Sequence, residues 1–116
     1  MSDKVTDLTF LGSFTGNDPQ KIKRYVQMFL DRAPDQLEEI RTSLGMGDYE
    51  NLRVAAHSIK PQLAYMGIKS LEQDIRAIEE ISATQTNLEA LPNLVQKLET
   101  ILKQGFIELQ EYVNAN

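Results

Sequence analysis

LRVAAHSIKPQLAYMG, residues 52–67, contains the one histidine of the chain, His57, and decides how the rest is read. Leu52, Ala56, Ile59, Leu63 and Met66 recur at steps of four, three, four and three. At about 100° per residue these positions fall within roughly 40° of one line, which marks an amphipathic helix with a single buried stripe. His57 projects about 140° from that line and is expected on the outer face. Asp48, ahead of the stretch, suits an N-cap, and Gly67, behind it, suits the left-handed residue just past a helix end.

Outward from this helix the pattern stays helical. Sustained alternation is missing, and Leu, Glu, Gln, Ala and Lys dominate. Val5, Leu8 and Leu11 predict a short first helix from about Val5 to Gly12. Asp18 as N-cap with Pro19 at the first helical position opens a second helix. Its apolar residues are Ile22, Val26, Phe29 and Leu30, then Leu37, Ile40 and Leu44. Pro34 interrupts the run. Because Phe29, Ala33, Leu37, Ile40 and Leu44 stay in phase across it, the reading is one long kinked helix, ended by GMGD at 45–48. A fourth helix is predicted near Ile68–Ser82, with Leu71, Ile75, Ile78 and Ile81 inward. After the polar loop SATQTN (82–87), a last helix begins near Leu88 or Pro92 and carries apolar residues from Leu91 to Val113. Short connections make successive helices antiparallel neighbours. The expected fold is all-α: an antiparallel up-and-down four-helix bundle with a short additional N-terminal helix, one domain over residues 1–116.

Composition bounds what such a bundle can do. The 116 residues suffice for one hydrophobic core, and 41% hydrophobic with 25% charged residues reads as soluble and globular. There is no cysteine, so disulfides, thiolate metal sites and thiol nucleophiles are excluded; this fits a reducing cytoplasm. A net charge of −5 disfavours nonspecific nucleic-acid binding. No stretch approaches a transmembrane helix, and the N-terminus lacks the order of a signal peptide. One His without Cys leaves no material for a catalytic triad or zinc cluster, and no glycine-rich phosphate loop occurs. The Glu38–Glu39 and Glu79–Glu80 pairs are read as solvated helix faces.

The neighbours of His57 on its own helix are Arg53 at i−4, Val54 at i−3, Lys60 at i+3, Pro61 at i+4 and Ala64 at i+7. The imidazole is thus expected between two cations, with small or apolar groups around it. Cations disfavour a further positive charge on the ring and keep a nitrogen lone pair available as a nucleophile. They would also hold a phosphoryl group once it arrived. Taken alone, an exposed His is ordinarily a surface residue, Arg53 a solvated charge, and Pro61 a tolerated bend.

AAHSIKPQLAYMGI resembles the signature of histidine-containing phosphotransfer (Hpt) domains. Small residues, Ala55 and Ala56, precede the histidine; Lys60 lies three after it and Gly67 ten after it. The acidic LEQDIRAIEEIS, the FL of the second helix and the GD before the third also resemble the family pattern. This resemblance implies that His57 accepts a phosphoryl group, that Lys60 steadies the phosphate, and that Gly67 serves the structural turn. The family's usual glycine after that lysine is Pro61 here, and the usual small residue after it is Gln62. Pro61 has no N–H, so the His57 carbonyl loses its helical partner. Arg53, Val54, Pro61, Gln62 and Ala64 are expected to form the partner-docking surface, with the second helix flanking it.

The resemblance further implies a phosphorelay protein that shuttles phosphate between receiver-domain aspartates. Its partners would be a response-regulator receiver and a hybrid sensor kinase receiver, with no nucleic acid and no membrane. It would be a cytoplasmic monomer without kinase activity, binding no cofactor of its own, with Mg²⁺ supplied by the receiver. A rival reading is a helical interaction module that binds a signalling partner without phosphoryl chemistry. A metal- or cofactor-binding bundle would need inward-facing His or Glu ligands, and the single outward His argues against it.

Overall fold

The computed structural model describes residues 4–116. Its helices are α1 (Thr9–Phe14), α2 (Pro19–Met46), α3 (Tyr49–Tyr65), α4 (Glu72–Thr84) and α5 (Leu91–Ala115), and no strand occurs among the described residues. Helix α3 packs on α2 and α4, and α5 closes the ring by packing on α2 and α4. The result is the antiparallel four-helix bundle expected from the sequence, with α1 as the short additional helix.

The helix limits follow from capping. Asp18 Oδ1 accepts from the Gln20 N–H and Asp48 Oδ1 from the Asn51 N–H, each satisfying a donor that the first helical turn leaves free. At the end of α3, the Ile68 N–H reaches Leu63 O and the Gly67 N–H reaches Ala64 O. This Schellman arrangement needs a left-handed residue, and Gly67 supplies it at φ 67°. Gly67 is also pinned from outside: a Cβ there would stand 2.0 Å from the Asp7 carbonyl oxygen.

Both internal prolines lie within unbroken helices. Pro34 and Pro61 are exposed, so each ring stands on the outer side of its helix, away from the core. The phase across Pro34 holds: Phe29, Ala33, Leu37 and Ile40 are all buried.

The core is the set of stripes read from the sequence. Leu52, Ala56, Ile59 and Leu63 of α3, with Met66 at its C-cap, join Ile75 and Ile78 of α4 and Leu98, Leu102 and Leu109 of α5 in one buried cluster. Each Leu, Ile or Met among them contributes about 1.5–3 kcal/mol by leaving water. Polar ties then join neighbouring helices. Asn51 Nδ2 donates to Ser43 Oγ at 2.6 Å between α3 and α2, and Lys97 pairs with Asp74 at 2.9 Å between α5 and α4.

Two predicted elements differ. The first helix does not span Val5–Gly12. Residues 5–8 are non-helical: the Thr9 N–H, which a helix from Val5 would give to the Val5 carbonyl, goes to Asp7 Oδ1, while the Val5 and Thr6 N–H groups tie the segment to the Glu108 carboxylate and the Asp7 N–H ties it to Met66 O. Helix formation starts only at Thr9 and runs past Gly12 to Phe14. The fourth helix does not begin at Ile68: a 3₁₀ turn over Lys69–Leu71 precedes α4, with Ile68 and Leu71 both turned into the core. A similar turn, Leu88–Ala90, precedes α5.

Candidate functional site

The outer face of α3 carries the expected histidine. The His57 side chain is 66% exposed, while the residues just before it in the chain, Ala55 and Ala56, are buried. Those two alanines let α3 lie close to its neighbours and leave the imidazole standing clear.

What surrounds the ring differs from the two-cation expectation. Arg53 forms an ion pair with Glu50, one turn back on the same helix. The group that does reach the ring is Glu79 of α4. Glu79 Oε2 lies 2.6 Å from His57 Nδ1, and Glu79 Oε1 lies 2.7 Å from Lys60 Nζ. One carboxylate thus bridges the imidazole and the ammonium across the α3–α4 seam. Reading Glu79 as a solvated residue was wrong: its side chain is only 21% exposed, whereas Glu80 is exposed as expected. Intrahelical spacing cannot reveal such a partner, because Glu79 lies in a different helix. The one available signal was the LEQDIRAIEEIS run itself, which puts Glu79 next to the inward Ile78.

The electrostatics set the hydrogen-bond direction. Lys60 above all, then His57, holds the Glu79 carboxyl below the usual carboxylate range, against the upward push of its partial burial. Glu79 is therefore ionised at neutral pH and can only accept. A neutral imidazole facing it carries its proton on Nδ1, which leaves the Nε2 lone pair directed away from Glu79. Lys60 is one helical turn from His57 and 35% exposed, half-covered by α4.

The remaining predicted docking residues line the same side. Val54 is 45% exposed, and Pro61 and Ala64 are exposed. Gln62 is half-buried; its amide turns back to the Ser58 carbonyl at a long 3.4 Å and offers little outward. The histidine does not stand on a simple convex face. It borders an open groove of about 920 Å³ lined by Phe10 and Ser13 of α1, Pro61 and Ala64 of α3, and Ile75 and Arg76 of α4.

Next to this groove lies an aromatic surface that apolar periodicity alone did not identify. Phe10 and Phe14 of α1 are 53% and 58% exposed. Both rings pack at 5.9 Å on Tyr65, the last residue of α3, and Phe14 meets Tyr25 of α2 edge-on at 6.0 Å. Met28 of α2 is exposed as well. Exposed apolar groups in a contiguous cluster mark interaction surfaces. Tyr25 brings α2 to the edge of this cluster, and α1, which had no assigned role, supplies two of its exposed rings.

Among the described residues no group of three His, Asp or Glu side chains is arranged to hold a metal ion, and no helix is long and apolar enough to cross a membrane.

Known proteins resemble this architecture. The crystal structure of histidine-containing phosphotransfer protein B (HptB) from Pseudomonas aeruginosa PAO1 superposes with a TM-score of 0.86, at 22% identity over 99% of each chain, which establishes the shared fold. No curated protein sequence matches the chain. The family model described as the Hpt domain matches residues 24–111, a span that contains His57, Lys60, Gly67 and Glu79. The chain belongs to the Hpt domain family.

Proposed function

We propose that the protein is a cytoplasmic phosphocarrier of a multistep two-component relay, moving a phosphoryl group between receiver-domain aspartates through His57. The observation that carries this reading is the Nδ1–Glu79 contact on an otherwise exposed ring. It fixes the imidazole from behind and leaves Nε2 as the free nucleophile, with Lys60 one turn away.

The transfer balances as follows. The Nε2 lone pair attacks the phosphorus of a receiver's aspartyl phosphate, and the phosphorus–oxygen bond breaks with its electron pair leaving on the aspartate carboxylate. The phosphorylated ring keeps its Nδ1 proton and gains positive charge, which the Glu79 carboxylate offsets. Lys60 contacts the phosphoryl oxygens. The receiver supplies Mg²⁺, which neutralises charge on the transferring group. Reversal passes the group to the next aspartate. Docking uses Arg53, Val54, Pro61 and Ala64 around His57, extended by the aromatic rings of α1 and Tyr65, so that water is excluded where the bond forms. The partners are the receiver domains of a response regulator and of a hybrid sensor kinase.

The test is incubation of the purified protein with a panel of phosphorylated receiver domains, followed by mapping of the label. Acid-labile phosphate on His57 is the expected result, and incubation with ATP and Mg²⁺ alone should leave the protein unlabelled. Label on another residue, or no transfer from any receiver while binding persists, would replace this reading with that of a pure interaction module.

A further inference from the structure

Glu108 of α5 is a nearly buried carboxylate that the phosphoryl chemistry does not use. It is 9% exposed, on a helix that contributes no residue to the groove beside His57. Its oxygens are saturated by donors from the other end of the chain. The Val5 N–H donates to both oxygens at 3.1 and 3.0 Å, the Thr6 N–H donates at 2.9 Å and the Thr6 hydroxyl at 2.6 Å. Gln104, one turn back on α5, donates its amide at 3.0 Å. Burying a carboxylate is unfavourable unless its lone pairs are filled, and here they are.

From this clamp the chain runs directly to the aromatic face. Val5 and Thr6 lie over Gly105, where a Cβ would already be in contact with both side chains at 3.6 and 3.4 Å. The Asp7 N–H donates to Met66 O at 3.0 Å, and the Asp7 carbonyl passes over Gly67. Asp7 Oδ1 then accepts the Thr9 N–H at 2.9 Å and starts α1. Phe10 follows one residue later. A six-residue helix has no stability of its own, so its placement depends on what anchors it. The buried Leu11 holds its middle. The Glu108 clamp holds its N-terminal approach.

We infer that Glu108 is a positioning residue for partner docking: by clamping Val5 and Thr6 it fixes the strap over Gly67 and thereby holds Phe10 and Phe14 of α1 in register with Tyr65 beside the His57 groove. The inference rests on the phosphocarrier reading above. Glu108 touches neither the phosphoryl group nor the partner. It acts on the affinity for a receiver domain and leaves the intrinsic reactivity of the imidazole alone.

The experiment compares wild type, Glu108→Ala, Glu108→Gln, Phe10→Ala and the Glu108→Ala/Phe10→Ala double variant. Two donors are used: a phosphorylated receiver domain and phosphoramidate, a small donor that needs no docking face. Glu108→Ala should raise KM for the receiver by about tenfold, the loss expected when one aromatic anchor is misplaced, with kcat and the phosphoramidate rate unchanged. Glu108→Gln keeps an acceptor oxygen for Val5 and Thr6 and should recover most of the affinity. The double variant should lose clearly less than the two single losses combined, because both changes act through α1 and only Phe14 is left to misplace once Phe10 is gone. An unchanged KM, additive losses, or an equal fall in phosphoramidate labelling would overturn the inference. If Glu108→Ala does not fold, Thr6→Val removes a single donor from the clamp and is judged by the same KM, kcat and coupling. Failure of the wild type to accept phosphate from either donor would strike the phosphocarrier reading instead.

Discussion

Replacing Glu79 with alanine should free two groups at once, and the structure bounds the effect. The contacts to His57 Nδ1 and Lys60 Nζ are 2.6 and 2.7 Å, short enough to be charge-assisted. A fully buried bond of this kind is worth about 1.5–3 kcal/mol, and a fully exposed pair about 0–1 kcal/mol. Glu79 is largely covered but His57 is 66% exposed, so the Nδ1 contact belongs between these limits, at about 1–1.5 kcal/mol. Since 1.4 kcal/mol is tenfold in an equilibrium, the alanine variant should lose roughly five- to tenfold in its preference for the Nδ1–H tautomer. The receiver-dependent transfer rate should fall by less than that factor, about two- to fivefold, because the fraction of rings presenting a free Nε2 drops by less than the tautomer ratio does. Glu79→Gln keeps an acceptor for Nδ1–H but loses the charge that holds Lys60, and should fall in between. Long-range ¹H–¹⁵N correlation of the ring reads the tautomer, and single-turnover transfer reads the rate. A wild-type ring protonated on Nε2 and free on Nδ1, or an alanine variant with unaltered tautomer and rate, would refute the reasoning.

Four further outcomes follow from the same geometry. His57→Gln should leave the melting temperature nearly unchanged, since exposed substitutions usually alter stability by less than about 0.5 kcal/mol, while phosphoryl acceptance is lost; a large drop on thermal denaturation would contradict the outward placement. Lys60→Ala should slow transfer without abolishing it, by at most about 1.5–3 kcal/mol of transition-state stabilisation, measured as the single-turnover rate at moderate salt. Burial pushes the Glu108 carboxyl up, but hydrogen bonds from the Thr6 hydroxyl, the Val5 N–H, Gln104 and the Thr6 N–H outweigh it and bring its pKa from 4.5 down to about 2. A carboxyl depressed by folding stabilises above its unfolded pKa, so up to about 3 kcal/mol present at neutral pH should be lost as pH falls from 4.5 towards 2, and urea titrations of Glu108→Gln should show a flatter acid limb. Gly67→Ala should destabilise by more than about 2 kcal/mol, because the new Cβ meets the Asp7 carbonyl at 2.0 Å on a backbone already at positive φ; a variant within 0.5 kcal/mol of wild type by chemical denaturation would show that the strap yields freely.

The helical fold and the place of His57 were legible in the sequence because both depend on local rules. A 3.6-residue period sets which side chains of α3 share a face, and that period carries no information about other helices. Caps are equally local, which is why Asp18, Asp48 and Gly67 could be read directly. The phase of Phe29, Ala33, Leu37 and Ile40 across Pro34 belongs with them, since a proline on the wet side leaves the buried stripe intact.

Tertiary structure decided everything that joins distant parts of the chain. His57 and Glu79 are separated by 22 positions, and only the seam between α3 and α4 makes them partners. Within α3 alone Arg53 and Lys60 both look like neighbours of the imidazole, yet Arg53 finds Glu50 and Lys60 turns to α4. The start of the chain reads as helix by its apolar spacing, but Val5 and Thr6 donate their N–H groups to Glu108, 102–103 positions away, and the segment stays a strap until Asp7 Oδ1 takes the Thr9 N–H that a helix from Val5 would give to the Val5 carbonyl. The aromatic face exists because Phe10, Phe14, Tyr25 and Tyr65 come from three helices that the bundle brings together at one end. Periodicity sorts side chains by face within one helix; which faces then meet, and which carboxylate reaches which ring, is settled by packing between helices.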